Sequence, residues 1–313
     1  MPRFDVTIAG ELNLDLILYG LPAELPPERE LLAQHMMVTL GSSSAILAHN
    51  LAALGCRVGF ASRIGDDALG QIALDRLAQS GVDVSQVRRI PGETKTGATV
   101  ILQGALERRI LTYPGTIFDL TLEDLDFEFL TDSGHFHLSS YYLQRGLRPH
   151  VDELFRRLKA SGLTISLDTN DDPDDHWDGG LRDVLRYVDV FFPNLREAKR
   201  LAGTDDVDLA VTELAKRVPL LVVKLGAKGA MARRGNEIFE SPAVPVKFFD
   251  PVGAGDSFDA GFLSQFVKGK DLLTCLRWGN LAGAFSTTMA GGTEAFRDGA
   301  QREAFWKESG VQP

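Results

Sequence analysis

Cysteine is almost missing from this chain: Cys56 and Cys275 are the only two in 313 residues. Two thiols cannot build a disulfide framework or a Cys-rich zinc site, and they read as reduced, intracellular residues. Long apolar runs are also lacking. No run approaches the ~18–20 residues a membrane span requires, which argues against an integral membrane protein. Basic charge is in deficit, with 33 Lys and Arg against 43 Asp and Glu, so the formal charge is −10 and no nucleic-acid partner is expected. The opening MPRFDVTIAG has no basic segment followed by an apolar stretch of signal-peptide length. It reads as a first strand, and a cytoplasmic location is expected. A hydrophobic share of 44% is enough for a packed core and excludes a disordered chain. Glycine, by contrast, is plentiful at 31 residues, as in chains whose backbone approaches a ligand closely.

Short apolar runs alternate with helical patterns. Strands are predicted at Phe4–Ala9, Val58–Arg63, Gly134–Leu138, Leu163–Leu167, Val188–Phe192 and Leu220–Lys224. The run LLVV in the last of these predicts burial on both faces. Helices are predicted at Ser44–Leu54, Ala68–Ser80, Arg148–Ala160, Trp177–Arg186, from Glu197 to Leu201, and at Ser257–Val267 and Leu272–Met289. This alternation predicts an α/β fold with a mostly parallel sheet covered by helices. Leu12–Leu40 and Thr96–Pro114 break the rhythm as antiparallel β excursions, the second around Gly104 with Glu107, Arg108 and Arg109 near its turn. They read either as a β flap over a site or as two surface hairpins. No internal repeat or linker is visible.

The most informative segment is DPVGAGDSFDA, Asp250–Ala260. Gly253, Ala254 and Gly255 let the backbone approach an anion, and the helix that follows adds unpaired N–H groups and a positive dipole. Asp256 at that helix start can accept a proton from an attacking hydroxyl, an arrangement suited to phosphoryl transfer; it also reads as an N-cap. Asn194 and Glu197, three apart, share a helix face and could hold a hydrated Mg²⁺, or form a capping box. Gly226–Gly229 follows the Leu220–Lys224 strand, where α/β sheets bind ligands, or it is a tight turn into a hairpin.

These motifs, with GELNLDL (Gly10–Leu16), LGSSSAILAHNLAALG (Leu40–Gly55), RIGDDALG (Arg63–Gly70), PNLREA (Pro193–Ala198) and VVKLGAKGA (Val222–Ala230), stand in the order found in ribokinase-like (PfkB) carbohydrate and nucleoside kinases. The chain resembles that family nearly end to end. The resemblance implies a ribokinase-like three-layer sandwich, one kinase domain over 1–313, and a small discontinuous β lid from about 12–40 and 96–114. It implies ATP and Mg²⁺, with K⁺ as a further cofactor, a primary alcohol as acceptor, and a homodimer through the lid. Asp256 would be the general base, and Gly253, Ala254, Gly255 and the Asp256 amide the anion hole. Asn194 and Glu197 would help hold Mg²⁺ and the triphosphate. Lys224, Gly226 and Gly229 would border the nucleotide, Asn280 would lie near adenine, and Asp15 and Gly41 would contact acceptor hydroxyls. Asp250, Val252 and the Ala290–Gly292 turn would offer backbone oxygens to a monovalent cation.

The chain departs from the family at Ser42, which replaces a second glycine, at Ile46, which replaces a sugar-contacting Asn, and at Pro251 in place of Thr. The acidic run Asp171–Asp175 disfavours an anionic acceptor nearby, or it is an exposed region complementing a helix dipole. A neutral sugar or polyol is therefore expected. A nucleoside is the alternative, with Ile46 and Tyr141 or Tyr142 against a base, and a non-catalytic binding protein on the same fold is a third reading. His135 and His137 alternate on a strand without a third ligand and read as structural.

Overall fold

The computed structural model describes residues 2–104 and 108–310, so Glu107 at the tip of the second β excursion lies outside the described residues. The elements in chain order are β1 (Phe4–Ala9), β2 (Leu14–Tyr19), β3 (His35–Leu40), α1 (Ser43–Ala53), β4 (Val58–Gly65), α2 (Ala68–Gln79), β5 (Asp83–Ile90), β6 (Ala98–Gln103), β7 (Arg108–Tyr113), α3 (Phe127–Thr131), β8 (Ser133–Leu138), α4 (Val151–Ala160), β9 (Thr164–Leu167), α5 (Leu181–Val184), β10 (Val190–Phe191), α6 (Leu195–Ala202), α7 (Val207–Ala215), β11 (Leu220–Lys224), β12 (Ala230–Arg234), β13 (Glu237–Ser241), α8 (Ala254–Phe266), α9 (Leu272–Ser286), α10 (Glu294–Arg297) and α11 (Gly299–Glu308). Aspartates cap α2, α3, α7, α9 and α11, each accepting first-turn N–H groups.

A nine-stranded sheet runs in the order β13-β12-β11-β10-β9-β8-β1-β4-β5. It is parallel from β11 to β5, while β12 and β13 are antiparallel. Successive side chains feed opposite cores. Leu221 and Val223 of β11 pack with α4, α5 and α7, whereas Leu220 and Val222 pack with α1, α8 and α9. This is the reason for the uninterrupted LLVV. Among the described residues no helix is long and apolar enough to cross a membrane.

The two β excursions meet in a second sheet, β3-β2-β6-β7. Two of its pairings are antiparallel, but β2 and β6, which join the two excursions, run parallel. Ile17 and Ile101 pack on Val252, and the Tyr19 hydroxyl donates to Asp250 (2.5 Å), which seats this sheet over the loop before α8.

Sequence patterning missed β5, β12 and β13. All three are polar strands at or next to a sheet edge, with exposed Arg, Glu and Ser where an apolar run would be sought. The helix expected over Trp177–Arg186 shrinks to α5 and one 3₁₀ turn. The Asp172 carboxylate collects the N–H groups of Asp174, His176 and Trp177, and Gly179 and Gly180 are left-handed, so helical bonding cannot begin earlier.

Candidate active site

Gly253 ends the loop in a left-handed conformation, φ +72°, immediately before α8. A Cβ there would collide with the Cα of Gly292, so the Ala290–Gly292 turn can close on the helix start only because both residues are glycine. The amide of Ala254 donates to Pro251 (3.2 Å), and Ser257 is the first residue to bond back to Gly253. The amides of Gly255 and Asp256 therefore stand ahead of the helical ladder, facing the helix mouth.

Asp256 is the third residue of α8 and is buried. Burial, and then the negative charge of Asp168, push its carboxyl up to about 6, while Lys224 and hydrogen bonds from Ser43 and Asn170 restrain the rise. Asn170 also donates to Ser43 (2.8 Å), which fixes the group around the carboxylate. A carboxylate tuned to this range is deprotonated near neutral pH and still basic enough to take a proton.

Lys224 ends β11 between two carboxylates: its Nζ donates to Asp168 (2.6 Å) and Asp259 (3.1 Å). Both carboxylates are buried and Lys224 is partly so, and the paired negative charges hold the ammonium well above its ordinary value against the cost of desolvation. The same Nζ lies 3.5 Å from where a Cβ of Gly255 would stand, so Lys224 borders the Gly253–Asp256 turn as well. Asp259 escaped the sequence reading, although it sits one turn beyond Asp256 on the same helix face, a spacing that could have revealed it.

A cavity of about 580 Å³ opens from this turn, lined by Lys224, Gly226, Gly229, Phe248, Gly255 and Asn280 among others. Its walls are mainly apolar, as a nucleobase requires. Gly229 is left-handed, and a Cβ on it would collide with the Ser241 carbonyl. Asn280 uses its amide N–H groups to hold Ser241 (2.9 Å) and Pro242 (3.1 Å), which leaves its oxygen for a ligand. The cavity reaches Ala254 and Gly255 of the Gly253–Asp256 turn at one end, and its donor set fits a nucleotide.

Asn194 and Glu197 form a reciprocal capping box at α6: Glu197 accepts from the Asn194 amide (2.8 Å) and donates its own to Asn194 Oδ1 (3.0 Å). Asn194 also bridges to Lys224 as a strand pair. Burial first, then Asp168, push Glu197 up to about 7. Among the described residues no three His, Cys, Asp or Glu cluster as a metal site. Residues so occupied fit a hydrated Mg²⁺ held through water beside phosphates rather than a protein cage.

Asp15, on β2, is buried, and its carboxyl is pushed up to about 7 by burial and by the charges of Asp256 and Asp250. Gly41 packs directly against it. Asp250 accepts from Tyr19, from Val252 N (3.0 Å) and from Gly291 N (3.0 Å), so its carboxylate braces the loop and any cation there would use backbone oxygens. Glu11, unremarked in the sequence, is a buried carboxylate bonded to Ser44 Oγ (2.8 Å) and to Gln144. Ser42 has a positive φ, +64°, and donates to Glu11 O (2.7 Å).

Residues 3–298 match the pfkB family carbohydrate kinase. The chain is a member of this family. It is 27% identical to a 2-dehydro-3-deoxygluconokinase of Bacillus subtilis over 90% of this chain and 91% of that one. It is 28% identical to a cytidine kinase of Thermococcus kodakarensis over 88% and 93%. A solved E. coli protein described as Ribokinase II, in complex with ATP and Mg²⁺, superposes with a TM-score of 0.83 at 26% identity, covering 97% of this chain and 99% of that one. The α/β fold with its separate small sheet is thus that of the ribokinase-like structures.

Several residues weighed for the kinase site lie elsewhere. Tyr141 and Tyr142 are fully buried in the core, edge to face with one another, and Tyr141 donates to Gly179 O (2.7 Å); neither can stack on a base. Ile46 is buried and packs against Gly253 of the turn before α8 and against Gly292. Of the acidic run, Asp171, Asp174 and Asp175 pair with Arg196, Arg145 and Arg200, and Asp172 organises its own loop. Arg108 and Arg109 lie on the exposed strand β7. His135 and His137 belong to a buried chain, Thr164–His135–Ser166–His137–Ser139, with every link at 2.7–2.8 Å; burial pushes both imidazoles down to about 3, as neutral structural residues.

Proposed function

We propose that this kinase transfers the γ-phosphoryl group of Mg-ATP to a primary hydroxyl of a small, neutral sugar or polyol. The observation that carries the acceptor class is the charge around Asp15 and Asp256. Asp15, Asp168, Asp250 and Asp256 converge there, and Lys224 is already bonded to two carboxylates. A carboxylate or phosphate on the acceptor would meet repulsion, whereas a polyol offers hydroxyl donors to Asp15.

Asp256 is the general base. The acceptor O–H bond breaks as its proton passes to the Asp256 carboxylate, and the oxygen bonds to the γ-phosphorus. The bond from that phosphorus to the bridging oxygen breaks, and ADP leaves. The amides of Gly255 and Asp256 receive the transferred oxygens, Gly253 and Ala254 shape the turn that presents them, and Lys224 adds positive charge. Gly226, Gly229 and Asn280 border the nucleoside. Mg²⁺ would neutralise the phosphates, with Asn194 and Glu197 holding its waters. Asp250, Val252 and the Ala290–Gly292 turn are the place for a K⁺ ion. Gly41 admits Asp15 to the acceptor.

The whole chain, 1–313, acts as one kinase domain. Its lid, from about 12–40 and 96–114, closes over the acceptor and excludes water. Ile110, Leu111 and Tyr113 of β7 are more than half exposed, and this apolar edge supports a homodimer through the lid. The core placement of Tyr141 and Tyr142 removes the base stacking on which the nucleoside reading relied. The test is ADP release with Mg-ATP across neutral sugars, sugar acids, sugar phosphates and nucleosides. Turnover confined to neutral polyols supports the reading; turnover with a sugar acid or nucleoside alone overturns it.

A further inference from the structure

A second cavity, of about 480 Å³, lies between α1, α2 and α10–α11. It shares no lining residue with the nucleotide cavity. Arg76, Arg297 and Arg302 line it, together with His49, Gln79 and Ser80, and no carboxylate is among its lining residues. Three guanidiniums in one concave site are unexpected in a chain of net charge −10.

The neighbouring acids do not account for them. Glu294 alone serves two, accepting from Arg76 (3.1 Å) and Arg297 (3.1 Å), and it accepts from Thr39 as well (2.9 Å). Arg302 donates to a carbonyl, Phe296 O (2.7 Å), rather than to a carboxylate. Half-buried, it is held below its ordinary pKa, with desolvation the largest cause and Glu303 and Asp298 opposing it. Asp298 caps α11 through the amides of Ala300 and Gln301. His49 is buried and its Nδ1 is engaged with Asn50 Oδ1 (2.9 Å).

From these residues the geometry points to a second anion site, separate from the catalytic centre, that binds a small phosphate-bearing ligand through Arg76, Arg297 and Arg302. Guanidinium forks match phosphate oxygens in pairs, and the cavity has room for a group larger than orthophosphate.

Isothermal titration of the full chain with inorganic pyrophosphate, at constant ionic strength, tests this. Binding with a Kd on the order of 0.1 mM is expected, with orthophosphate weaker. Arg302→Gln should weaken it at least about tenfold. Gln79→Glu keeps every arginine and places a carboxylate at an exposed helix position on the cavity wall, so it should weaken binding similarly without touching the core. Melting temperatures identify any variant that fails to fold. Absence of binding to the parent protein up to about 10 mM overturns the proposal. So does binding that survives both folded variants, or that a nonhydrolysable ATP analogue abolishes, since the anion then sits in the nucleotide cavity.

Discussion

A Cβ on Gly41 would collide with Oδ1 of Asp15 and stand 2.7 Å from its Cγ. The glycine that follows β3 thus makes room for the carboxylate on the neighbouring strand β2. Gly41→Ala should displace Asp15 and lower kcat/KM for the acceptor by about 100-fold, the usual cost of an ångström-scale misplacement. The KM for ATP should stay within about twofold, because the nucleotide cavity is built from other elements. Steady-state kinetics with each substrate varied in turn separates the two.

Asp15 should also weigh on stability. Its folded-state pKa, about 7, lies above the ordinary 3.8, so the native state holds the proton more tightly than the unfolded chain. Stability from this group is greatest in acid and falls as pH rises from about 4 through 7. Asp15→Asn removes that penalty. It should raise stability on the order of 4 kcal/mol at pH 8 and leave it unchanged near pH 4, while abolishing acceptor turnover. Thermal melts at the two pH values check the sign.

Lys224→Met has the opposite consequence. It strands Asp168 and Asp259, both buried, without their shared cation. A loss on the order of 3–5 kcal/mol is expected, read by urea titration. Lys224→Arg should recover part of it.

The lid edge gives a prediction about assembly. Ile110 and Leu111 are 53% and 57% exposed. If they form the dimer contact, Ile110→Glu should convert a dimer of twice the chain mass into monomers in light scattering. An unchanged mass across a concentration series would contradict the lid dimer.

Much of the architecture was legible because strand pattern and motif agreed. LLVV announced a strand buried on both faces, and GAGD ahead of an apolar helix placed Gly253 and Asp256 at the start of α8. The polar strands β5, β12 and β13 carry no such pattern, since an edge needs little apolar surface. Asp172 was read as one of a charge run, yet it is a buried acceptor for three loop amides, a role no spacing rule exposes. Tyr141 and Tyr142 follow a strand that ends near the site, and only packing shows that both rings turn into the core. Asp259 completes the Lys224 pair through a contact 35 residues away along the chain.

The most direct test of the central claim is the pH dependence of ADP release for the parent protein and Asp256→Asn, with a neutral polyol acceptor and Mg-ATP. With Asp256 as base, kcat/KM should rise through an apparent pKa of about 6 as the carboxylate loses its proton, and hold above it. Asp256→Asn should lower kcat by about 10²–10⁴-fold and erase that limb while still binding ATP. Retention of both the rate and the limb in the variant would contradict the assignment of the base.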